Sequence, residues 1–158
     1  MIDPQPSHGR YTLRPVRDDD ESWMWPAGKE ALRPYVAPFF GWEEEVARGF
    51  FDRSWRKRQV VEVDGQRAGW IELAIEGTSL YLHEIGLLPE FRNAGLGSRI
   101  IDDVCQHADA QALNVELQVL VTNPAQRLYE RMGFRPAHFK MFRPPGGWKH
   151  EPPREPVE

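Results

Sequence analysis

Apolar residues recur along this chain with two different periods, and each period predicts a different kind of element. Alternation of apolar and polar positions predicts strands at 11–16, 59–64, 67–75, 79–88 and 115–121, with a last strand near 134–143. Spacing of three or four residues predicts helices from about Asp18 onward, from about Trp42 to Trp55, over 95–109 and over 124–132. Strands that first follow one another and then alternate with helices predict a mixed α/β sheet.

The two ends of the chain differ in composition from the part between them. Residues 1–9 read as a polar leader, and residues 144–158 are too rich in proline to form a helix or a strand. We therefore expect one domain over 10–143, which is long enough to bury a core. Within it, Asp64 and Gly65 separate two strands in the manner of a type I′ turn.

Charge, cysteine content and hydropathy narrow the class of protein. The formal charge of −4 and the pI near 5.8 argue against a nucleic-acid partner, which would need a basic face. The single cysteine, Cys105, lies on the apolar face of the 95–109 helix, which favours a buried thiol over a nucleophile. No stretch approaches the roughly 20 apolar residues of a membrane span, and residues 1–6 lack a signal-peptide core. These features predict a cytoplasmic protein without a membrane partner.

A turn at residues 91–98 joins the predicted strand 79–88 to the predicted helix 95–109. The first N–H groups of a helix are unpaired and carry positive partial charge, so phosphate binds there readily. Gly95 and Gly97 let the backbone approach a pyrophosphate closely, and Arg92 adds a permanent cation. The spacing Arg-x-x-Gly-x-Gly is neither a P-loop nor a Gly-x-Gly-x-x-Gly dinucleotide motif. Taken alone, it fits a glycine-relieved turn as well as a phosphate site.

A second segment distinguishes between these readings. The predicted strand 115–121 leads to Asn123, which can cap a helix that has Pro124 at its first position and ends at Gly133. The segment reads Asn-Pro-Ala-Gln-Arg-Leu-Tyr-Glu-Arg-Met-Gly-Phe, and Leu-x-x-x-x-Arg-x-x-Gly-x-Gly precedes it. Together these motifs strongly resemble the GNAT superfamily of acetyl-CoA-dependent N-acetyltransferases. They span Ile85 to Phe134, about a third of the chain.

The resemblance implies a fold and a set of ligands. It implies a mostly antiparallel central sheet of six or seven strands with four main helices, in which the fourth and fifth strands splay apart to admit the pantetheine arm. Acetyl-CoA is then the acetyl donor, no metal is required, an amine is the acceptor, and assembly as a homodimer is left open. The residues expected to contact the cofactor are Ile85, Leu87, Leu88, Arg92, Asn93, Ala94, Gly95, Leu96, Gly97, Ser98, Asn123 and Tyr129.

Acetyl transfer to an amine requires a held acyl carbonyl and a proton for the departing thiolate. Backbone N–H groups around Leu87 can hold the carbonyl if the strand edge there is unpaired. Tyr129 stands where the family places its general acid, and a phenol of pKa about 10 is reasonably matched to a thiol of pKa about 8.5. The alternative is that Tyr129 only packs its helix.

The transfer also requires a base, since an alkylammonium has a pKa near 10.4. Two candidates, His83 and Glu84, precede the turn, and alternation puts His83, Ile85 and Leu87 on one face. That face, and an imidazole pKa of about 6.5, slightly favour His83. Some relatives, such as the diamine acetyltransferases, carry a carboxylate where His83 stands. A bulge would exchange the faces. The sequence leaves His83, Glu84 and a water relay open.

Residues 20–57 are expected to wall the acceptor pocket. They combine aromatic residues with acids that could bind a cationic amine, although the same aromatics could simply pack two helices onto the sheet. The aromatic residues are Trp23, Trp25, Tyr35, Phe39, Phe40, Trp42 and Trp55. The sequence therefore predicts an N-acetyltransferase acting on a primary amine by direct attack in a ternary complex, with a non-catalytic CoA-binding sensor or structural module as the alternative.

Overall fold

A computed structural model describes residues 11–119, 125–137 and 140–143 of the chain. Seven strands form its sheet: β1 (Thr12–Pro15), β2 (Gln59–Val63), β3 (Gln66–Glu76), β4 (Ser79–Leu87), β5 (Asn114–Leu117), β6 (Arg135–Ala137) and β7 (Lys140–Arg143). Four helices pack on it: α1 (Glu21–Phe40), α2 (Glu44–Ser54), α3 (Leu96–Ala110) and α4 (Ala125–Arg131). The predicted leader 1–9 and tail 144–158 lie outside the described residues.

The strands run in the order β1-β2-β3-β4-β5-β7-β6. Neighbouring strands are antiparallel except β4 and β5, which are parallel. The sheet is therefore mixed and mostly antiparallel, as predicted. The prediction of one last strand near 134–143 is wrong, because β6 and β7 are two strands that pair with each other. Pro136 cannot donate a backbone hydrogen bond, and β6 accommodates it as the edge strand of the sheet.

Two hydrophobic clusters lie on opposite faces of the sheet. The first lies under α3 and α4, and its α3 members are the six positions that the helical spacing predicts: Leu96, Ile100, Ile101, Val104, Cys105 and Ala108. The Cys105 thiol is 3% exposed, and burial raises its pKa to about 12, which confirms a buried thiol. The second cluster lies under α1 and α2 and contains Met24, Phe51 and Trp70. No helix in the described residues is long and apolar enough to cross a bilayer.

Turns and helix ends follow the local sequence closely. Asp64 and Gly65 both have positive φ, 50° and 75°, which confirms the type I′ turn between β2 and β3. The helix predicted from Asp18 begins as a 3₁₀ turn over Asp18–Asp20 before α1 starts. Gly133, with φ of 89°, follows the end of α4 as a left-handed residue favoured after helices.

The fourth and fifth strands separate where the resemblance implies. Their pairing runs from Ser79 opposite Asn114 to Leu82 opposite Leu117, and β4 then continues to Leu87. The strand predicted over 115–121 ends at Leu117, which leaves the second half of β4 without this neighbour. Among the residues that the structure describes, no other strand takes that place. The predicted splay of these two strands is confirmed.

β4 carries one extra residue relative to β3. Leu82 pairs with Leu73 and Glu84 pairs with Glu72, so His83 bulges between them. A bulge of this kind shifts the alternation of side chains by one position. It explains why one strand changes its facing pattern halfway along its length.

The bulge decides which residues face α3. Leu82 before it, and Ile85 and Leu87 after it, all pack against the cluster under α3. His83 instead stacks on Tyr81, with ring centroids 5.6 Å apart, and Tyr81 alternates with the buried Leu82. The expectation that His83 shares a face with Ile85 and Leu87 is therefore wrong, and the extra residue is the physical reason.

Candidate active site

At the end of β4, a backbone N–H group points to the stretch of the strand edge that β5 does not pair with. Leu87 of β4 stands opposite Gly69 of β3. The next N–H, that of Leu88, donates to the carbonyl of Ala68 in β3 at 2.8 Å. Successive backbone N–H groups of a strand point to opposite edges, so the N–H of Leu87 points to the open edge. Its position matches the donor that a thioester carbonyl would need.

The turn after β4 presents the start of α3 to the same space. Gly95 caps α3 with a left-handed φ of 81°, which glycine adopts without strain. The first bond within the helix runs from the N–H of Arg99 to the carbonyl of Gly95 at 3.1 Å. The N–H groups of Leu96, Gly97 and Ser98 precede it and are the donors that a helix N-terminus offers to an anion.

Gly97 is not required by the fold itself. Its φ is not positive, and a Cβ on it would meet Cδ1 of Leu87 at an ordinary 3.7 Å. The residue nevertheless lines a cavity at the start of α3. A glycine that the protein does not need for its own packing is well suited to let a ligand approach the backbone.

This cavity, of about 510 Å³, brings together several of the predicted cofactor residues. Its walls come from the end of β4, the start of α3, one side of α1 and the helix α4. The predicted residues on its walls are Ile85, Leu87, Arg92, Gly97 and Tyr129. Of the others, Leu88, Asn93, Ala94 and Gly95 lie in the adjoining turn, and Ser98 lies in the first turn of α3. The Leu96 side chain is buried in the core, and Asn123 lies outside the described residues.

Arg92 lines the cavity, but its guanidinium contacts protein groups. Nε donates to the carbonyl of Leu87 at 2.9 Å, and Nη2 donates to Glu30 of α1 at 2.7 Å. The Glu30 hydrogen bond raises the pKa of Arg92. Both side chains of this ion pair are partly exposed, so the pair stabilises the fold little and can be exchanged for a phosphate at low cost.

Tyr129 reaches the cavity from α4, on the side facing β4. The residue is 7% exposed and its ring packs edge-on against Phe134, with centroids 5.7 Å apart. Burial raises the pKa of Tyr129 to about 12. The phenol is therefore protonated throughout the neutral range and can only donate a proton there.

Glu84 faces the opposite side of the sheet, toward α1 and α2. Its Oε1 accepts a hydrogen bond from the indole Nε1 of Trp70 at 3.1 Å, and its Oε2 accepts one from Arg58 at 2.5 Å. His83 makes different contacts, with Nε2 3.7 Å from Glu76 and a side chain 40% exposed. The two candidate bases therefore have different partners, and only Glu84 lines one of the two cavities.

Two charged residues of this face were not anticipated from the sequence. Glu72 is 9% exposed, and its burial raises its pKa. The Arg58 side chain is 5% exposed, and burial lowers its pKa while the charges of Glu84 and Glu72 oppose that effect. An acid inside the apolar run of β3 is the signal that could have identified Glu72. Arg58 gives no comparable signal, because it stands in a run of basic residues.

A second cavity, of about 480 Å³, lies between α1 and α2 and reaches Glu84 and Arg58. The aromatic residues of 20–57 divide among three roles. Trp23, Trp25 and Trp55 pack in the cluster under α1 and α2, which bears out the packing alternative for them. Phe40 and Trp42 line this second cavity together with one side of Trp25, and Tyr35 lines the first. The side chain of Phe39 is outside the described part.

Known proteins of similar sequence point to the same family as the two motifs. The sequence profile described as the acetyltransferase (GNAT) family matches residues 15–134. A Bacillus subtilis (strain 168) protein, described as a candidate ribosomal protein bS18-alanine N-acetyltransferase, is 32% identical over 80 residues, covering 49% of this chain and 52% of that protein. The chain spans only 52% to 60% of the length of the curated relatives that it matches.

Solved structures agree on the fold. The ribosomal-protein-S18-alanine N-acetyltransferase of Escherichia coli superposes with a TM-score of 0.60 at 18% identity, covering 89% of this chain and 97% of that one. The spermidine N-acetyltransferase of Vibrio cholerae, solved with CoA and spermine, superposes with a TM-score of 0.62 at 19% identity, covering 87% and 96%. The mixed sheet with four helices predicted from the two motifs is confirmed.

Proposed function

The chain belongs to the acetyltransferase (GNAT) family, and we propose that it transfers an acetyl group from acetyl-CoA to a primary amine. One observation carries the proposal. A single cavity joins the open edge of β4, the start of α3 and the Tyr129 phenol. A thioester needs a carbonyl donor, a phosphate site and an acid in one place, and these three groups supply them.

The pyrophosphate of the donor binds at the N–H groups of residues 96–98, with Arg92 exchanging Glu30 for phosphate oxygen. The pantetheine arm extends along the open edge of β4, past Gly97, and its thioester carbonyl accepts a hydrogen bond from the N–H of Leu87. CoA bound to the Vibrio cholerae enzyme of similar fold supports this choice of donor.

The reaction proceeds by direct attack in a ternary complex. The lone pair of the neutral amine attacks the carbonyl carbon of the thioester, and the C–S bond then breaks. The Tyr129 hydroxyl gives its proton to the departing thiolate, the acetylated nitrogen loses one proton to solvent, and the phenolate recovers one proton from solvent. The products are the N-acetyl amine and free CoA, so atoms and charge balance.

Glu84 is the base that this geometry favours. It lies one residue before Ile85, so it adjoins the open half of β4, yet its carboxylate faces the cavity between α1 and α2. An amine entering from that side meets Glu84 before it meets the thioester. The carboxylate takes the ammonium proton directly or through water, in the role that the sequence slightly favoured for His83.

Thiol release from acetyl-CoA, measured across a panel of amines, tests the proposal. Release well above the blank without acceptor, accompanied by a mass increase of one acetyl group on the amine, would support it. A rise in melting temperature with CoA but no release with any amine would favour the binding module instead, because a ligand stabilises the folded state without turnover.

A further inference from the structure

The cavity between α1 and α2 is lined by exposed apolar side chains. Among the residues that the structure describes, five large apolar side chains are strongly exposed, and four of them line this cavity. They are Leu32 and Phe40 of α1, and Val46 and Phe50 of α2. Exposed apolar surface that is concentrated in one concave place, rather than scattered, marks a binding site.

The charges of the cavity lie at its inner end and its rim, and they balance. Lys29 and Arg58 contribute two positive charges, and Glu43 and Glu84 contribute two negative charges. Lys29 already donates to Glu44 at 2.7 Å, and Arg58 is buried beside Glu84. A ligand with one ammonium group can bind at Glu84. Glu43 is the other carboxylate on the lining, so a ligand with three ammonium groups would place at least one of them against apolar walls, where it would lose its hydration without compensation.

The inner end of the cavity adjoins the proposed reaction centre along β4. Glu84 lines this cavity, and the next three residues of β4, Ile85 to Leu87, line the cavity proposed for acetyl-CoA. A ligand whose ammonium reaches Glu84 therefore places its nitrogen at the strand from which the thioester would be held. The rest of that ligand must extend between α1 and α2.

We infer that the acceptor is a primary amine that carries one bulky apolar group rather than a chain of several ammonium groups. The apolar group lies between Leu32 and Phe50 on the facing walls of α1 and α2, and the amine lies at Glu84. This inference rests on the proposed function and names its substrate class. The same chemistry belongs to a free arylalkylamine and to a polypeptide whose first residue is large and apolar.

The test compares four acceptors with acetyl-CoA: 2-phenylethylamine, a short peptide that begins with phenylalanine, ethylamine and spermidine. The value of kcat/KM for 2-phenylethylamine or the peptide should exceed that for ethylamine and for spermidine by about tenfold or more, since apolar pockets discriminate on this scale. A higher value for the peptide assigns the source to polypeptides, and a higher value for the free amine assigns it to small molecules. Equal or better use of spermidine would overturn the inference.

Variants tie the preference to the cavity. Phe50→Ala and Leu32→Ala should each raise KM for the preferred apolar acceptor by about tenfold, and should raise KM for ethylamine much less, since ethylamine has no bulky group to contact these walls. Both side chains are about half exposed or more, so their truncation costs the fold little. Ile75→Ala is the matched control, because Ile75 is an equally exposed apolar residue of β3 outside the cavity. Unchanged KM in both cavity variants would contradict the inference.

Calorimetric binding in the presence of CoA separates this inference from the proposed function. If no amine is acetylated, the proposed function fails. The inference then stands or falls on whether 2-phenylethylamine binds more tightly than spermidine and loses that advantage in Phe50→Ala.

Discussion

The indole N–H of Trp70 donates to Oε1 of Glu84 at 3.1 Å, and the same ring covers the space where a side chain on Gly86 would stand. A Cβ on Gly86 would lie 2.1 Å from Cζ2 of Trp70, so this position accepts only glycine without rearrangement. Trp70 is 1% exposed and held in the cluster under α1 and α2. The carboxylate of Glu84 is therefore oriented by a buried, closely packed ring and by Arg58.

Replacing Glu84 by glutamine tests its role as base. Glutamine keeps a carbonyl oxygen for the Trp70 hydrogen bond but cannot accept the ammonium proton at neutral pH. We expect kcat to fall roughly a hundredfold, as is typical of a lost general base, with the CoA-induced rise in melting temperature retained. His83→Gln is the matched comparison and should have the smaller effect, because His83 lines neither cavity. A larger loss in His83→Gln would return the role of base to the imidazole.

Tyr129→Phe removes one hydroxyl and almost no volume. Because burial raises the pKa of Tyr129 to about 12, the wild-type phenol is protonated over the whole working range of pH. Turnover should fall roughly a hundredfold or more, with the affinity for CoA intact and no new ionisation in the pH profile below about pH 9. Tyr81→Phe, on the opposite face of the sheet, is the control. Wild-type turnover in Tyr129→Phe would leave this residue a packing role only.

Much of the fold follows from local signals in the sequence. The apolar face of α3, the Asp64-Gly65 turn and the end of α4 at Gly133 depend on neighbours within a few residues, and the pattern of residues reports them directly. The splay of β4 from β5 came from resemblance, since strand separation depends on residues far apart in the chain. The sequence pattern predicts one strand where β6 and β7 stand. An edge strand tolerates proline, so Pro136 does not mark a strand boundary.

The site was predicted less completely, for two physical reasons. A bulge is a relation between two strands, so the alternation of β4 alone could not place His83 and Glu84 on their faces. The partner of Arg92 was also hidden, because Glu30 lies 62 residues earlier and meets it only through the packing of α1. The sequence does not distinguish Arg58 from the basic residues before it. Only the folded structure shows that Arg58 is buried.

Gly97→Val tests the approach of the pyrophosphate to the start of α3. An added Cβ would lie 3.7 Å from Cδ1 of Leu87, an ordinary contact, so the melting temperature without ligand should change little. The valine side chain would occupy the space that the phosphates need, and the stabilisation by CoA should be lost. Gly49→Val, a glycine of α2 whose added Cβ would meet only the flexible end of Arg53, is the control for a valine within a helix. An undiminished CoA shift in Gly97→Val would contradict the assignment of this turn.

Asp20 stands immediately before α1, the helix that lines both cavities. It is 1% exposed and accepts hydrogen bonds from Arg14 at 2.7 Å, from the indole of Trp23 at 2.9 Å and from the backbone N–H of Arg17 at 2.7 Å. Burial alone would raise the pKa of Asp20, but these donors outweigh it and lower the pKa below its usual range. The carboxylate is thus held ionised in the folded state.

Asp20→Asn should lower the free energy of unfolding at pH 7 by about 2 kcal/mol, because the buried position loses its charge-assisted hydrogen bonds and Arg14 keeps only Glu62 as a carboxylate partner. A lowered folded-state pKa contributes stability that is fully present well above the unfolded pKa of about 3.9 and is lost as pH falls below it. Urea unfolding at pH 7 and pH 3 should therefore show the gap between wild type and variant narrowing in acid. Asp18→Asn, at a carboxylate that is 90% exposed, should shift stability by less than about 0.5 kcal/mol. A gap that is the same at both pH values would mean that Asp20 acts through shape and hydrogen bonding rather than through its charge.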